Sequence, residues 1–424
     1  MTAVSPRLSW RRLQGDGNPL ARVNRIVAQK LAARPQLPRP PAYVVLCATV
    51  AVLNIVGLVM ILSASSVAAL ADYGSSWYFF QRQAMWALVG FGVFLVVSRV
   101  DYRRWRKLAV PALLTSVFLL LVVLLPNIGK LVEGSRRWLV LGPIQVQPSE
   151  VAKIALLLCG AELLTRRVER LHDPRAWRPV LVLFLVFGAF VMKEPDLAST
   201  IVLGTITFAL LIVSGARVKH LAAVAGFGLA AALLLSLGAG YRRARMFAFL
   251  HPGHDVGNTG YQLWRSLIAV GSGGVNGVGL GNGRAKWFFL PNAHTDFIFA
   301  IIGEELGFIG CVLVLALFAG LGIVGLRIAR RAPDRFGMLL ATGVTAWVVG
   351  QAAINLGAVI GVLPVSGVPL PFLSVGGSSL VLTMAAVGVV ANIARVSGPP
   401  VAHRPASSTA VVKPKQSKAA TRRS

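Results

Sequence analysis

Long apolar stretches, separated by short polar segments, repeat along most of the chain. Ten of them are long enough, or nearly so, to cross a hydrocarbon core of about 30 Å as helices. They are residues 43–65, 83–97, 108–125, 151–164, 179–192, 197–214, 221–237, 297–328, 337–363 and 379–394. The pattern therefore predicts an all-α polytopic membrane protein with about ten transmembrane helices.

The composition indicates the same class of protein. Of the 424 residues, 55% are hydrophobic and 14% are charged, whereas soluble domains carry about 25% charged residues. Lysine and arginine number 43 and acidic residues 15, which gives a net charge of +28. The three cysteines are isolated in apolar runs and offer neither a disulfide framework nor a zinc site. A pair of soluble globular domains is therefore excluded.

Basic residues concentrate in alternate connections between the apolar stretches. With the N-terminus inside, most of them fall on the cytoplasmic side, as the positive-inside rule requires. Both termini are then cytoplasmic, and one long extracytoplasmic loop, about residues 238–295, joins the seventh helix to the eighth. We expect a basic tail over 1–41, a transmembrane domain over 42–395 and a disordered basic tail over 396–424. The tails would set topology and attract anionic lipids or dock a cytoplasmic partner, and we expect no nucleic-acid binding.

A minority of the cations lie on the outer side, against this bias. Arg136 and Arg137 lie in the loop before the fourth helix, and Arg243 and Arg245 lie in the long outer loop. Exposed arginines can simply meet lipid headgroups. The alternative is an anionic ligand that carries phosphate, because phosphate oxygens match the fork of the guanidinium group.

Lys153 stands at the mouth of the fourth apolar stretch, three residues after Glu150. On a helix this spacing places the two side chains on one face, where each can neutralise the other. A charge at membrane depth costs about 2.5–3.5 kcal/mol, so a functional role is the favoured hypothesis.

Two carboxylates precede apolar stretches on the outer side. Asp296 is open to two interpretations: a helix N-cap, or a general base that accepts a proton from a sugar hydroxyl. For Asp196, next to a helix-breaking proline, we expect an N-cap or an ion pair with Lys193.

Two outer segments have unusual composition. Glycines are dense between residues 271 and 283, which predicts either flexible turns or a backbone that approaches a bulky ligand closely. Residues 363–372 carry no charge and indicate a re-entrant hairpin, which is tolerable at membrane depth only when it is buried in protein.

Four segments together resemble one family of membrane proteins. They are Gly134 to Leu139 (GSRRWL), Gln147 to Lys153 (QPSEVAK), Leu290 to Gly307 (LPNAHTDFIFAIIGEELG) and Leu363 to Ser379 (LPVSGVPLPFLSVGGSS). In this order they resemble the SEDS family, whose members govern shape, elongation, division and sporulation. The similarity covers about residues 40–395, and the division branch, FtsW, matches better than the elongation branch, RodA.

The resemblance implies a peptidoglycan glycosyltransferase that polymerises lipid II at the outer face of the bacterial cytoplasmic membrane, at the division septum. It implies that Asp296 is the catalytic residue, that Lys153 is required, and that Glu150 and Ser378 contribute to substrate binding. The implied partners are an FtsI-like class B penicillin-binding transpeptidase, other divisome proteins and membrane lipids. The implied cofactor is a divalent cation, Mg²⁺ or Mn²⁺, with no organic cofactor.

The mechanism that follows is an inverting glycosyl transfer. Asp296 would deprotonate the acceptor hydroxyl, which attacks the anomeric carbon of the donor while undecaprenyl diphosphate leaves. The outer cations would stabilise the departing diphosphate; these are Arg136, Arg137, Lys153, Arg243 and Arg245. Two alternatives stay open, a lipid II flippase and a non-catalytic divisome scaffold.

Overall fold

The computed structural model describes residues 40–126, 128–132, 135–142, 144–167, 173–238, 243, 249, 260–365 and 367–397. The helices of this part of the chain are α1 (Pro41–Tyr73), α2 (Tyr78–Arg99), α3 (Ala109–Leu124), α4 (Pro148–Arg166), α5 (Pro174–Lys193), α6 (Leu197–Ser214), α7 (Val218–Gly238), α8 (Tyr261–Ser272), α9 (Ile298–Arg330), α10 (Arg335–Val359) and α11 (Gly377–Val396). A 3₁₀ helix, Tyr102–Leu108, leads into α3. Most of both predicted tails and Arg245 lie outside the described residues, so the predicted domain boundaries stay predictions.

The helical membrane class is confirmed. Within the described residues, 8 helices are long and apolar enough to cross a membrane; they are α1, α2, α3 with its 3₁₀ turn, α5, α6, α9, α10 and α11. The two other predicted spans, 151–164 and 221–237, are helical too and lie within α4 and α7. Four charged side chains set α4 apart from the eight: Glu150, Lys153, Glu162 and Arg166. The chain is therefore a multi-pass membrane protein.

Local sequence explains where several helices begin and end. α1 begins with Pro41 at its first position, where a missing N–H costs nothing. It ends at Gly74, whose left-handed backbone (φ 71°) lets its N–H reach the carbonyl of Leu70. α10 begins at Asp334, whose side chain accepts a hydrogen bond from the N–H of Gly337.

Helices α10 and α11 form the centre of the bundle. α10 packs against α9 and α6, and α11 packs along α2. The large side chains Phe336 and Trp347 of α10 are fully buried. By contrast, α2 and α3 expose apolar residues such as Leu88 and Leu114, as helices that face lipid do.

A small antiparallel sheet lies between α3 and α4, an addition to the predicted all-α fold. Its strands are β1 (Gly129–Val132), β2 (Ser135–Leu141) and β3 (Ile144–Val146), in the order β1-β2-β3. β1 and β3, with 4 and 3 residues, are too short to give a clear alternating pattern in the sequence. The sheet matters for the site because β2 carries Arg136 and Arg137.

Helix α9 is broken at Gly307, which has φ 67° and ψ −162°. The glycine-rich segment lies against this break and bonds to the main chain on both sides of it. The bonds are Val278 N to Glu304 O (3.0 Å), Gly279 N to Glu305 O (3.1 Å), Phe308 N to Gly274 O (2.9 Å) and Ile309 N to Val275 O (3.2 Å). A Cβ atom on Gly277 or Gly307 would overlap the main chain of the other segment. The close approach that Gly277 and Gly307 allow is therefore between the glycine-rich segment and α9.

Candidate functional site

Asp296 lies in the turn that leads into α9. The N-cap position of α9 is occupied by Phe297 and not by Asp296. The N-cap interpretation of Asp296 is therefore wrong. The side chain of Asp296 is half-buried. A Cβ atom on Gly367 would lie 3.5 Å from Oδ2 of Asp296. The carboxylate therefore lies beside the main chain of the last outer loop, which is the segment 363–376 between α10 and α11.

Three consecutive main-chain carbonyls, those of His294, Thr295 and Asp296, are held by hydrogen bonds from other parts of the chain. The carbonyl of His294 accepts from Val375 N at 3.1 Å. The carbonyl of Thr295 accepts from Ser374 Oγ at 2.6 Å, and that of Asp296 accepts from Asn355 Nδ2 at 2.8 Å. These bonds fix the backbone from which the Asp296 side chain projects.

The loop that supplies two of these bonds is buried, as expected for a re-entrant segment. Its residues Val368, Leu370, Phe372 and Leu373 are almost fully enclosed. The buried side chain of Gln83, on α2, holds the end of the loop. Its Nε2 donates to the carbonyl of Ser374 at 3.3 Å and its Oε1 accepts from Gly376 N at 3.1 Å.

Lys153 is buried beside Glu150 at the start of α4. Its Nζ atom lies 2.7 Å from Glu150 Oε1, and the two side chains are 1% and 2% exposed. A second bond runs from Lys153 Nζ to Gln351 Oε1 on α10, at 2.9 Å. The ammonium also lies 5.0 Å from the centre of the Trp347 ring, at cation–π distance.

The side chains of α10 connect the surroundings of Lys153 to those of Asp296. Gln351 Nε2 donates to the carbonyl of Pro369 at 3.0 Å. One turn further along α10, Asn355 Nδ2 donates to the carbonyls of Val368 at 2.7 Å and Asp296 at 2.8 Å. A cleft opens against this network, lined by Gln351, Pro369, Leu370, Pro371, Phe372, Ser374, Ser379, Leu380 and Thr383.

The comparison with known families decides what this arrangement belongs to. A family model that combines FtsW, RodA and SpoVE, described as "Cell cycle protein", matches residues 43–398. The chain belongs to the FtsW/RodA/SpoVE family. The match includes Lys153, Asp296 and the last outer loop, so the site described above lies within the family domain.

Named relatives and solved structures of the FtsW/RodA/SpoVE family are similar over most of this chain. A "Probable peptidoglycan glycosyltransferase FtsW" of Geobacter metallireducens is 41% identical over 346 residues, which are 81% of this chain and 92% of that protein. "Stage V sporulation protein E" of Bacillus subtilis is also 41% identical, over 81% of this chain and 94% of its own. A structure titled "Structural coordination of polymerization and crosslinking by a peptidoglycan synthase complex" is 30% identical, with TM-score 0.70, over 83% of this chain and 97% of the other. The rod shape determining protein RodA of Thermus thermophilus is 29% identical, with TM-score 0.61, over 82% and 95%.

The other predicted site residues of this FtsW/RodA/SpoVE protein have the following surroundings. The guanidinium of Arg137 donates to the carbonyls of Glu194 (2.9 Å) and Pro195 (2.7 Å), and that of Arg136 donates to Leu125 O at 3.4 Å. Arg243 is exposed. Ser378 lies in the first turn of α11, and its buried Oγ has no hydrogen-bond partner among the described residues. The substrate-binding roles of these residues stay predictions.

The corner between α5 and α6 holds two buried carboxylates. Asp196 is the N-cap of α6: its Oδ1 accepts from Ser199 N at 2.9 Å, which confirms the capping interpretation. Neither oxygen of Glu194 has a partner among the described residues, and the side chain is 1% exposed. Burial, with a smaller effect from the charge of Asp196, raises the pKa of Glu194 to about 9, although Arg137 opposes the shift.

The imidazole of His294 packs beside the ring of Phe79, with 4.6 Å between ring centres. Burial lowers the pKa of His294, against an opposing effect of the charge of Asp72. This shift favours the neutral imidazole, which brings no positive charge to the Asp296 segment.

Sequence reasoning missed the polar residues on which this site depends most. Gln83, Gln351 and Asn355 lie in apolar helices of the FtsW/RodA/SpoVE domain and bond to the segments around Asp296 and Lys153. The sequence did contain a signal for these residues, because amide side chains within transmembrane stretches need hydrogen-bond partners when they are buried. The spacing of Gln351 and Asn355, one helical turn, also places them on one face.

Proposed function

We propose that this chain is a peptidoglycan glycosyltransferase that polymerises lipid II into glycan strands for septal wall synthesis in cell division. The carrying observation is the half-buried carboxylate of Asp296, on a backbone held by three consecutive carbonyl hydrogen bonds. Support comes from relatives that are 41% identical and named as probable peptidoglycan glycosyltransferases. A general base on a rigid support suits a reaction in which positioning supplies much of the rate.

In the proposed reaction, the carboxylate of Asp296 takes the proton of the acceptor's sugar hydroxyl. The hydroxyl oxygen forms a bond to the anomeric carbon of the donor, from the face opposite the leaving group, so the configuration inverts. The bond from that carbon to undecaprenyl diphosphate breaks, and the diphosphate leaves with the electron pair. Cations of the outer face would stabilise the charge that develops on it.

A divalent cation, Mg²⁺ or Mn²⁺, fits this scheme as an ion shared with the substrate. The described residues contain no group of three or more His, Cys, Asp or Glu side chains that could hold an ion alone. Mg²⁺ is commonly held by one or two carboxylates together with substrate phosphates. Asp296 is the carboxylate that would hold it here, and the ion would neutralise charge on the diphosphate.

The proposal includes a partner and a location. The structure with TM-score 0.70 is titled as a peptidoglycan synthase complex that coordinates polymerization and crosslinking. By analogy we propose an FtsI-like class B penicillin-binding transpeptidase as the partner, with other divisome proteins around it, in the cytoplasmic membrane at the septum. Lipid II would enter from the surrounding membrane lipids.

The test is polymerisation by the purified complex. The chain is purified with its cognate transpeptidase, which is blocked by penicillin, and is incubated with lipid II and Mn²⁺ or Mg²⁺. The glycan products are separated on a gel for the wild type, Asp296→Ala and Asp296→Asn. Asp173→Asn is the matched control, because it makes the same chemical change at an exposed helix cap, and asparagine caps as well as aspartate.

We expect a polymer ladder from the wild type and the control, and none from either Asp296 variant. An active Asp296→Ala enzyme would contradict the general-base role. A silent wild type in an intact complex would contradict the transferase itself and favour the flippase or the scaffold. An assay that follows fluorescent lipid II across vesicle membranes then distinguishes the flippase from the scaffold.

A further inference from the structure

Two amide side chains of α10, Gln351 and Asn355, have orientations that their neighbours dictate. Gln351 Oε1 faces two donors, Lys153 Nζ at 2.9 Å and Trp347 Nε1 at 3.0 Å. Asn355 faces two acceptors, the carbonyls of Val368 and Asp296. A flipped amide would set oxygen against oxygen, or N–H against a cation, so each group has one satisfactory orientation.

Adjacent carbonyls of the last outer loop receive these amides. Gln351 donates to Pro369 O and Asn355 donates to Val368 O, so one face of α10 binds two successive peptide units. Gly367, which immediately precedes them, is the residue whose main chain lies beside the carboxylate of Asp296. A shift of Gln351 or Asn355 therefore moves the wall of the Asp296 site.

Lys153 is at the far end of this chain of contacts and is closed off from solvent. It is 1% exposed, and its ammonium is occupied by Glu150, Gln351 and the face of Trp347. The ammonium of Lys153 donates a hydrogen bond to Oε1 of Gln351. A charged donor makes a stronger bond than a neutral one, so Lys153 holds Gln351 in the orientation that points its N–H₂ at the loop.

We propose that Lys153, Gln351 and Asn355 form a positioning relay that sets the backbone of Asp296 and the loop beside it, so that Lys153 acts through Gln351 rather than by binding the substrate diphosphate. This proposal rests on the proposed glycosyltransferase function. It replaces the direct phosphate contact expected for Lys153 with a role behind the site.

The variant that removes the bond to the loop while keeping an acceptor oxygen for Lys153 is Gln351→Glu. Glutamate keeps an oxygen for Lys153 and Trp347 but replaces the N–H₂ that faces Pro369 O with a second oxygen. Asn355→Asp makes the same change at the two carbonyls of Val368 and Asp296. Ser266→Ala is the matched control: it removes a buried side-chain bond to a carbonyl of α10, that of Val359 at 2.8 Å, which is not part of the relay.

The measurement is the rate of lipid II polymerisation in the penicillin-blocked complex, with kcat and KM determined separately. Complex recovery and thermal stability are followed for every variant. We expect Gln351→Glu and Asn355→Asp to lower kcat by about 10²-fold, because a misplacement of about 1 Å can cost that much. The KM for lipid II should change less than about threefold, and Ser266→Ala should stay near wild type on both, since interactions realised only in the transition state affect kcat.

Three outcomes would overturn the relay. A raised KM with unchanged kcat would mean that this end of α10 contacts the substrate. Wild-type kcat in both amide variants would mean that the bonds are dispensable, and an equal loss in Ser266→Ala would mean that any loosening of α10 is enough. If Asn355→Asp does not fold, Gln351→Glu alone decides between these results.

A second readout is independent of activity. Amide hydrogen exchange in the peptide that covers residues 368–376 should speed up at least tenfold in Gln351→Glu, because the loop loses a bond that holds it to α10. Faster exchange with a silent wild type would uphold the relay and contradict the glycosyltransferase. Unchanged exchange in that peptide would contradict the relay whatever the activity.

Discussion

The ammonium of Lys286 lies 3.0 Å from the carboxylate of Glu305, and the two side chains are 4% and 0% exposed. Ser63 of α1 donates to the same carboxylate at 2.7 Å. Next to it, Glu304 accepts from the main-chain N–H groups of Arg284 and Ala285. Glu304 and Glu305 of the apolar helix α9 thus bind the outer loop next to the break at Gly307. These bonds give a structural reason for two carboxylates within a membrane-spanning helix.

Breaking this pair should destabilise the fold strongly. Lys286→Met leaves the Glu305 charge buried without its cation, at a cost of about 3–5 kcal/mol. We expect a large fall in Tm of the detergent-solubilised protein, partly recovered when Glu305→Gln is added. Lys130→Met, at an exposed lysine of β1, is the control, and a Tm for Lys286→Met equal to that of this control would contradict the prediction.

Gly307→Ala should prevent folding or lower Tm sharply. The residue has φ 67°, and an added Cβ would overlap Gly277 N and Val275 O, so both the backbone angle and the space require glycine. Gly320→Ala in the same helix is the control, because a Cβ there meets nothing within 4 Å. Alanine at Gly320 should be neutral or stabilise by up to about 1 kcal/mol, and equal behaviour of the two variants would refute the steric argument.

Glu194 should make stability fall as the pH rises. Its pKa of about 9 in the folded protein is above the ordinary 4.5 of the carboxyl group. Between these values the folded state holds a proton that the unfolded state has lost, so the free energy of unfolding decreases with increasing pH. Glu194→Gln should remove this dependence and raise Tm at pH 8 more than at pH 5. A pH profile of Tm that is identical in wild type and variant would contradict the shift.

Asp196→Ala should remove the N-cap of α6. The lost bonds are those from Ser199 N, Ser199 Oγ and Gln147 Nε2 to the carboxylate, at 2.9, 2.6 and 3.3 Å. Loss of a cap costs about 1 kcal/mol, so we expect a decrease in Tm of a few degrees. Asp196→Asn, which keeps an acceptor oxygen, should lose less, and an equal loss in both would point to the charge rather than to the cap.

The amino-acid pattern was sufficient to predict the transmembrane helices and the protein family. The length of an apolar stretch is set by the thickness of the bilayer, and a spanning segment must satisfy its backbone internally. The ten predicted spans were therefore found as helices with boundaries that differ by several residues. The short sheet was missed because β1 and β3 contain too few residues for a period to emerge.

The roles of single polar residues could be predicted only in part. Asp196 was correctly interpreted as a cap, because capping depends on residues next to it in the chain. For Asp296 the same local pattern allowed a cap, yet the helix begins after Phe297. For the glycines, the residue type allowed either flexible turns or a close approach to a ligand, and it could not identify α9 as the neighbour.

Membrane class, helix positions and the candidate residues Asp296 and Lys153 follow from local composition, periodicity and motif, because these depend on near neighbours in the chain. Tertiary packing alone brings Lys153 to Gln351 and Asn355 to Asp296, across 198 and 59 positions of sequence. Such contacts depend on which helix faces pack together, and in lipid that choice rests on close packing and hydrogen bonds between particular side chains. The network around Asp296 is therefore a property of the assembled bundle.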